Sequence, residues 1–264
     1  MRAIVMFGLI PVLAWVGQSL LLRRAGLPVR MRLSARDLPG IVKQWNRAVL
    51  YVGVAAVLLG YPVLRGTTPA AYYAQCFPVG PPVRQLLWGV AASTLYLVLL
   101  YLAWLITDNI RLEVRHGARR LAQRLAGVPL LAAGVAFVEE LLFRGVLLRD
   151  LMDSMPAAGA LVLASVIFAL AHYVRAVKRY WTFPGHLALG GLLCVAYWRT
   201  GALWLPIGLH AGGILILAGI RPFIRYVGPA WLVGASIFPY AGLVGLVALG
   251  LLTAHVWIRF GGTP

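Results

Sequence analysis

The chain has 264 residues, 61% of them hydrophobic and only 12% charged, and its mean hydropathy is +0.85. This composition excludes a soluble domain and is typical of an integral membrane protein. In a soluble protein, the net charge of +17 would suggest a nucleic-acid partner. Here the 24 Lys and Arg residues are better explained as loop charges that fix topology and contact anionic lipid, so no nucleic-acid partner is expected.

Eight apolar runs predict an all-α fold, a polytopic bundle of about eight transmembrane helices. The predicted spans are about 3–22, 47–64, 86–107, 128–148, 157–174, 185–199, 202–219 and 239–258. The first run lacks an A-x-A-like cleavage site, so we expect it to be retained and not removed as a signal peptide. The apolar stretch from Ala230 to Ile258 is longer than one span needs and is interrupted at Phe238-Pro239-Tyr240, which predicts a kink or a short interfacial piece.

Positive residues predict the orientation of the bundle. The connections after spans one, three, five and seven contain 17 Lys and Arg, against four in the other connections. Cytoplasmic loops carry the excess of positive charge, so both termini are expected on the non-cytoplasmic side. The first connection, from Arg23 to Arg47, and the segment from His116 to Leu125 are expected to lie on the cytoplasmic leaflet as amphipathic segments.

Two adjacent glutamates lie inside the fourth apolar run. Of the seven acidic residues, only Glu139 and Glu140 fall within a span, and a carboxylate at that depth has to face the protein interior. Glu140 and Arg144 are four residues apart on one helical face, where they can form a buried ion pair. Glu139 is turned by about 100° from Glu140. This geometry predicts that Glu140 and Arg144 hold the helix while Glu139 performs chemistry; a structural ion pair or a polar seam in a transporter would use the same residues.

Two histidines are candidates to act with Glu139. His172 follows Phe168 by one helical turn, so the phenyl ring can pack against the imidazole and orient it. His210 lies in the middle of span seven. Gly208 and Gly212 flank it, and their small size lets another helix approach closely.

The depth of each residue in the bilayer affects whether these side chains can meet. At about 1.5 Å of rise per residue, Glu139 and His210 come out at a similar depth, and His172 is shallower. Helix tilt, or a continuation of span five towards Tyr180, would close the gap. His186, at the start of span six, is a further candidate for the same cavity, and an interfacial position fits it equally well.

Motifs that are absent from the sequence argue against several classes of catalytic site. There is no H-E-x-x-H, no aspartate within a span and no G-x-S-x-G, which argues against a helical zinc site of that type, an aspartyl dyad and a nucleophile elbow. Glu139, His172 and His210 remain, on three different helices, with Arg144 as support. The same three side chains would also suit a zinc site with an open water position.

These residues carry a resemblance to a known family. The motifs are Glu139-Glu140-x-x-x-Arg144, Phe168-x-x-x-His172, and His210 preceded by the segment 199–204 (Arg-Thr-Gly-Ala-Leu-Trp). In order and spacing they resemble the three motifs of the CPBP family, the CAAX proteases and bacteriocin-processing enzymes, which includes the type II CAAX prenyl endopeptidases. The resemblance covers roughly residues 128–215.

The resemblance implies an intramembrane endopeptidase. Glu139 and His172 would activate a water, His210 would stabilise the oxyanion, and Glu140 and Arg144 would support the site. The implied division of this single membrane domain is 1–127 for the first three spans, 128–220 for the catalytic core and 221–264 for the last span. No cofactor is expected on this mechanism, and zinc on the metal-dependent alternative.

One position departs from the family pattern. Ile214 replaces the asparagine that the family has four residues after the third-motif histidine. Losing one oxyanion donor costs about 10²–10³ in rate if nothing substitutes, and His186 or a backbone N–H is a candidate substitute. Ile214 therefore keeps open an alternative function, a non-proteolytic scaffold, immunity factor or proton-coupled transporter.

The expected substrate is a membrane-associated protein or peptide. Arginine outnumbers lysine by 22 to 2, a composition typical of GC-rich bacterial genomes. This composition favours a bacterial cytoplasmic membrane as the location of the protein.

Overall fold

The computed structural model of the chain describes residues 2–33, 37–79, 82–114, 116–173, 182–234 and 238–261. Within these residues, eight long helices each overlap one predicted span, which confirms the all-α helix bundle. They are α1 (Arg2–Arg24), α2 (Gly40–Leu64), α3 (Pro82–Ile106), α4 (Ala118–Glu140), α5 (Ala157–Tyr173), α6 (Thr182–Thr200), α7 (Trp204–Ile220) and α8 (Leu243–Arg259).

Shorter elements occupy the connections. They are the helices Pro69–Ala74, Arg149–Met152 and Ala230–Val233, the 3₁₀ turns Arg221–Phe223 and Pro239–Ala241, and the strands β1 (Ile110–Leu112) and β2 (Ile224–Tyr226). β1 and β2 pair antiparallel, with Arg111 opposite Arg225. The pairing joins the connection after α3 to the connection after α7. Both therefore lie at the same end of the bundle, as the distribution of positive charge predicts.

Five helical segments are long and apolar enough to cross a bilayer, judged by length and composition. They are Arg2–Arg24, Gly40–Leu64, Val83–Ile106, Ala118–Met152 and Trp204–Phe223, and the helices Ala157–His172 and Leu243–Arg259 are apolar but shorter. Many large apolar side chains on the helices, among them Leu59 and Leu251, are exposed. Exposed apolar faces of this kind suit contact with lipid, so the chain is a multi-pass membrane protein.

Two helices begin earlier than predicted. α2 starts at Gly40 and α4 at Ala118, so the predicted interfacial segment of the third connection forms the first turns of α4. Residues 34–36 of the predicted amphipathic first connection lie outside the described residues. The predicted continuation of span five towards Tyr180 lies outside them too.

The fourth span changes its helical geometry directly after the two glutamates. Beyond Glu140 the chain continues as a π-helix, Leu141–Leu148, in which every residue is buried. π-helices are rare and occur frequently at functional sites. The regular α-helical spacing assumed from the sequence therefore ends at Glu140, although the contact between Glu140 and Arg144 is present.

Glycines determine how α7 packs against α3. A Cβ atom at Gly208 would lie 2.2 Å from the carbonyl oxygen of Leu86, and one at Gly212 would lie 2.6 Å from that of Val90. The small residues around His210 thus allow the predicted close approach, but the partner is α3. The glutamates are on α4, which packs separately against α7.

Contacts at one end of the bundle relate the two ends of the chain. The amide of Ala3 donates to Asp150 Oδ2 at 3.0 Å, which joins the start of α1 to the end of the fourth span. The guanidinium of Arg259 lies 5.5 Å from the ring of Trp88, which joins the end of α8 to the start of α3. Because successive long helices alternate in direction, both chain ends lie on the same side of the bundle. That this side is non-cytoplasmic stays a prediction.

Replacing Gly208 with Ala should destabilise the bundle by about 1–3 kcal/mol, because the added methyl group meets backbone that cannot rotate away. The measurement is the free energy of unfolding of the purified protein in detergent. Gly213→Ala is the matched control, because a Cβ there has no other atom within 4 Å. Equal stability of the two variants would contradict the close packing of α7 on α3.

Candidate active site

The buried carboxylate of Glu140 accepts hydrogen bonds from an arginine and a histidine. Its Oε1 accepts hydrogen bonds from Arg144 Nη1 at 3.0 Å and from His210 Nδ1 at 2.8 Å. Arg144 Nη2 donates to the carbonyl oxygen of Gly190 at 3.1 Å, and its guanidinium lies 4.7 Å from the ring of Phe168. The side chains of Glu140 and Arg144 are both 0% exposed. This network joins the fourth span to α5, α6 and α7.

Glu139 faces a different group of side chains. Its Oε2 lies 3.5 Å from His172 Nε2 and 3.8 Å from His210 Nε2. The side chains of Glu139 and His172 are 20% and 19% exposed, whereas that of His210 is 8% exposed. The structure therefore brings together the three side chains selected from the sequence, in a cluster that is open on the side of Glu139 and His172.

The orientation of His172 is set by one turn of α5. His172 Nδ1 lies 2.9 Å from the carbonyl oxygen of Phe168. A carbonyl oxygen only accepts, so Nδ1 carries the hydrogen and, in the neutral ring, Nε2 presents its lone pair to Glu139. The ring of Phe168 also lies 4.4 Å from the imidazole, as its position one turn earlier predicts.

His186 lies beside this cluster and is only 4% exposed, so its side chain is buried within the protein. Its ring is stacked on His172, with a centroid distance of 4.7 Å and an interplanar angle of 23°. His186 Nδ1 donates to the carbonyl oxygen of Thr182 at 2.8 Å, and Nε2 accepts from the Tyr240 hydroxyl at 3.2 Å. Apart from the proline that interrupts the last apolar stretch, no feature of the sequence pointed to a role for Tyr240.

Other positions singled out from the sequence stand apart from the cluster. Ile214, one turn beyond His210, is half-buried and has no side-chain hydrogen to donate. His116 lies near Arg124, and His255 is stacked on Trp88, so neither histidine is part of the cluster.

The same residues are the candidates for a metal site. Across the described part of the chain, no three His, Cys, Asp or Glu side chains form a group that could hold a metal ion. Zinc binding by Glu139, His172 and His210 stays a prediction of the metal-dependent alternative.

A comparison with protein families matches residues 121–216 to the family described as Rce1-like, type II CAAX prenyl endopeptidase Rce1-like. The matched range contains both glutamates, Arg144, His172 and His210. Over this segment the chain is similar to the CAAX proteases, which supports the resemblance to the CPBP family that the sequence motifs carry. No curated protein and no solved structure matches the chain.

The match supports a CAAX-type intramembrane protease in general terms, and it suggests a membrane-associated protein as the class of substrate. The residues that match the family model are those that carry the sequence motifs. The matched segment includes the π-helix and the carbonyl of Gly190, which the sequence motifs did not identify.

Removing one partner of the buried pair of Glu140 and Arg144 should destabilise the protein. Arg144→Met or Glu140→Gln should lower the free energy of unfolding by roughly 3–5 kcal/mol, because each leaves a buried charge or polar group without its partner. The control is Asp153→Asn in the exposed pair of Arg65 and Asp153, whose side chains are 41% and 53% exposed. That change should cost at most about 1 kcal/mol. Equal effects at the two pairs would contradict the role assigned to Glu140 and Arg144.

Proposed function

We propose that the protein is an endopeptidase that hydrolyses a peptide bond of a membrane-associated protein or peptide near the cytoplasmic leaflet. The observation that supports this most is the convergence of Glu139, His172 and His210 from three helices. A purely structural ion pair needs only Glu140 and Arg144. It gives no reason for a second carboxylate facing two imidazoles in a partly open cluster.

In the proposed mechanism Glu139 and His172 hold the catalytic water together. The carboxylate oxygen and the Nε2 of a neutral His172 are both acceptors, and they lie 3.5 Å apart. This distance is longer than an ordinary direct hydrogen bond, so the two acceptors are close enough to receive hydrogens from one water that lies to the side of the line between them. A water that donates one hydrogen to each would be held and polarised at the same time.

The proposed mechanism uses both ring nitrogens of His210 as donors. Nδ1 donates to Glu140 Oε1 at 2.8 Å, and Nε2 lies 3.8 Å from Glu139 Oε2. A hydrogen on Nε2 as well as on Nδ1 would supply the donor that an oxyanion requires.

The hydrolytic step then follows from these positions. The Glu139–His172 pair accepts a proton from the water while the water oxygen forms a bond to the carbonyl carbon of the substrate. The carbonyl oxygen becomes an oxyanion that His210 Nε2–H stabilises. The pair returns the proton to the amide nitrogen, the C–N bond breaks, and a carboxylate and an amine are released.

Ile214 leaves His210 without the neighbouring amide donor of the family pattern. We infer that the site works with one fewer side-chain donor, and that a charged donor at His210 offsets part of the loss, because charge-assisted hydrogen bonds are about twice as strong as neutral ones. The alternative of a non-proteolytic scaffold, immunity factor or transporter makes no use of a water between Glu139 and His172.

We also propose that the basic connections contact anionic lipid at the cytoplasmic face of a bacterial membrane. Arginines at the end of α1 and at the start of α4 are exposed there: Arg23, Arg24, Arg119, Arg120 and Arg124. Each arginine near an anionic surface contributes about 1 kcal/mol to that attraction.

Chelation separates the two mechanisms that use these side chains. Dialysis against a strong chelator such as 1,10-phenanthroline should leave the rate of cleavage unchanged, because the proposed water is activated by Glu139 and His172. The rate is measured before and after dialysis and after adding Zn²⁺ back. Loss of activity that Zn²⁺ restores would establish the metal-dependent alternative.

Replacing Glu139 with Gln should lower kcat by about 10²–10⁴, because the amide does not accept the proton from the water. The assay uses two quenched fluorescent peptides, one with a prenylated C-terminal CAAX sequence and one without the lipid, together with the purified protein in vesicles. New N-termini of co-reconstituted membrane proteins are identified by mass spectrometry.

The matched control is Glu113→Gln on the exposed connection after α3, which should keep wild-type activity. Wild-type cleavage by the Glu139 variant would exclude this mechanism. A wild-type protein that cuts neither peptide and generates no new N-termini would support the non-proteolytic alternative.

A further inference from the structure

The interruption of the last apolar run forms a tightly packed turn against the active-site half of the bundle. The 3₁₀ turn Pro239–Ala241 lies directly against the first turn of α6. A Cβ at Gly185 would lie 2.8 Å from Cα of Ala241 and 2.9 Å from the ring of Tyr240. Only a glycine at position 185 lets the backbone of the turn come this close, so the turn has little freedom to move relative to α6.

The turn places a buried hydroxyl on His186. Tyr240 is 5% exposed, and its hydroxyl donates to His186 Nε2 at 3.2 Å. On the other side of the ring, Nδ1 donates to the carbonyl oxygen of Thr182 at 2.8 Å. Both ring nitrogens of His186 therefore have a partner, and the plane of the ring is determined by two hydrogen bonds from different elements.

The oriented ring of His186 is then in contact with the candidate base. It is stacked on His172 at 4.7 Å, and Phe168 contacts the same imidazole at 4.4 Å. A hydrogen bond from His172 Nδ1 to the carbonyl oxygen of Phe168, one turn earlier, holds one edge of the imidazole. The two neighbouring rings restrict rotation of the imidazole further.

We propose that Tyr240 and His186 are positioning residues, which hold the imidazole of His172 in the plane from which its Nε2 addresses Glu139. The inference rests on the proposed function, in which His172 takes a proton from the water. His186 itself is not a base here, because its acceptor nitrogen is occupied by Tyr240. The turn Pro239–Ala241 thereby supports the active site without touching the reacting atoms.

The first test separates positioning from substrate binding. His186→Ala should lower kcat by roughly 10- to 100-fold, since small displacements of a catalytic group have effects of this size. KM should stay unchanged, because neither residue contacts substrate. Tyr240→Phe should lower kcat by less, since the ring of His186 stays in place with one hydrogen bond fewer. Wild-type kcat in both variants would overturn the proposal.

The second test is a rescue. In the double variant His186→Phe with Tyr240→Phe, a flat ring remains beside His172 and no buried hydroxyl loses its acceptor. Its kcat should exceed that of His186→Ala by at least about tenfold if stacking is what matters. A double variant as slow as His186→Ala would show that the nitrogens of His186 act directly, which contradicts positioning.

Packing of the turn provides a third comparison. Gly185→Ala should lower kcat, because the added methyl group meets the backbone of the turn at 2.8 Å. Gly191→Ala on the same helix is the control, because its Cβ would have only Ser165 Oγ at 4.0 Å. Each protein is checked for a wild-type elution profile and helix content in detergent before its rate is compared. Equal rates for the two glycine variants would contradict a role for the turn.

One readout does not need catalysis. Diethyl pyrocarbonate modifies accessible imidazoles, and peptide mapping reports the rate at His172 alone. Modification of His172 should be severalfold faster in His186→Ala than in wild type, and close to wild type in the Phe–Phe double variant. If cleavage by wild type depends on Glu139 but His172 reacts equally fast in all variants, the positioning inference fails and the proposed function stands. If the reactivity changes as expected while cleavage does not depend on Glu139, the proposed function fails.

Discussion

One carboxylate oxygen organises this site. Glu140 Oε1 accepts hydrogen bonds from Arg144 and from His210, and the side chain that carries it is completely buried. A carboxylate in that position is stable only with its donors in place, so the helices that supply them are constrained to one arrangement. Glu139 follows from that constraint. As the preceding residue it points about 100° away, and this direction leads to His172 on α5.

The π-helix after the glutamates is part of the same construction. It carries Arg144, whose second amino group reaches the carbonyl of Gly190 on α6 at 3.1 Å. From outside, the hydroxyl of Tyr72 donates to the carbonyl of Gly145 within the π segment at 2.8 Å. A π-helical turn changes which backbone N–H groups and carbonyl oxygens pair with each other. A hydrogen-bond donor from a neighbouring element is one way to satisfy a carbonyl oxygen in such a turn. The connection between α2 and α3 thus supports the helix that bears the active site.

The structural features that could be predicted are those whose sequence pattern has a single physical interpretation. Apolar runs of about 20 residues have few roles other than spanning a bilayer, so the eight helices were predictable. Charged residues inside such a run have to be compensated, which pointed to Glu139, Glu140 and Arg144. The spacing of Phe168 and His172 predicted their contact because four residues make about one turn.

Other features of the structure have no such signal in the sequence. Gly208 and Gly212 show that some helix comes close to α7, but not that the helix is α3. The transition to π geometry at Leu141 leaves no mark in hydrophobic periodicity, because the whole segment is buried and apolar apart from Arg144. Tyr240, next to a proline at the end of an apolar run, resembles an interfacial tyrosine in sequence. Its contact with His186 depends on the three-dimensional position of the turn.

The central claim is that a water between Glu139 and His172 is the nucleophile. A single turnover of the reconstituted protein in H₂¹⁸O, followed by mass spectrometry of product and enzyme, tests it directly. The account predicts one ¹⁸O atom in the new carboxylate of the product and none in the enzyme peptide that contains Glu139. Label in the Glu139 carboxylate would show that the glutamate attacks the substrate itself, which would contradict the account.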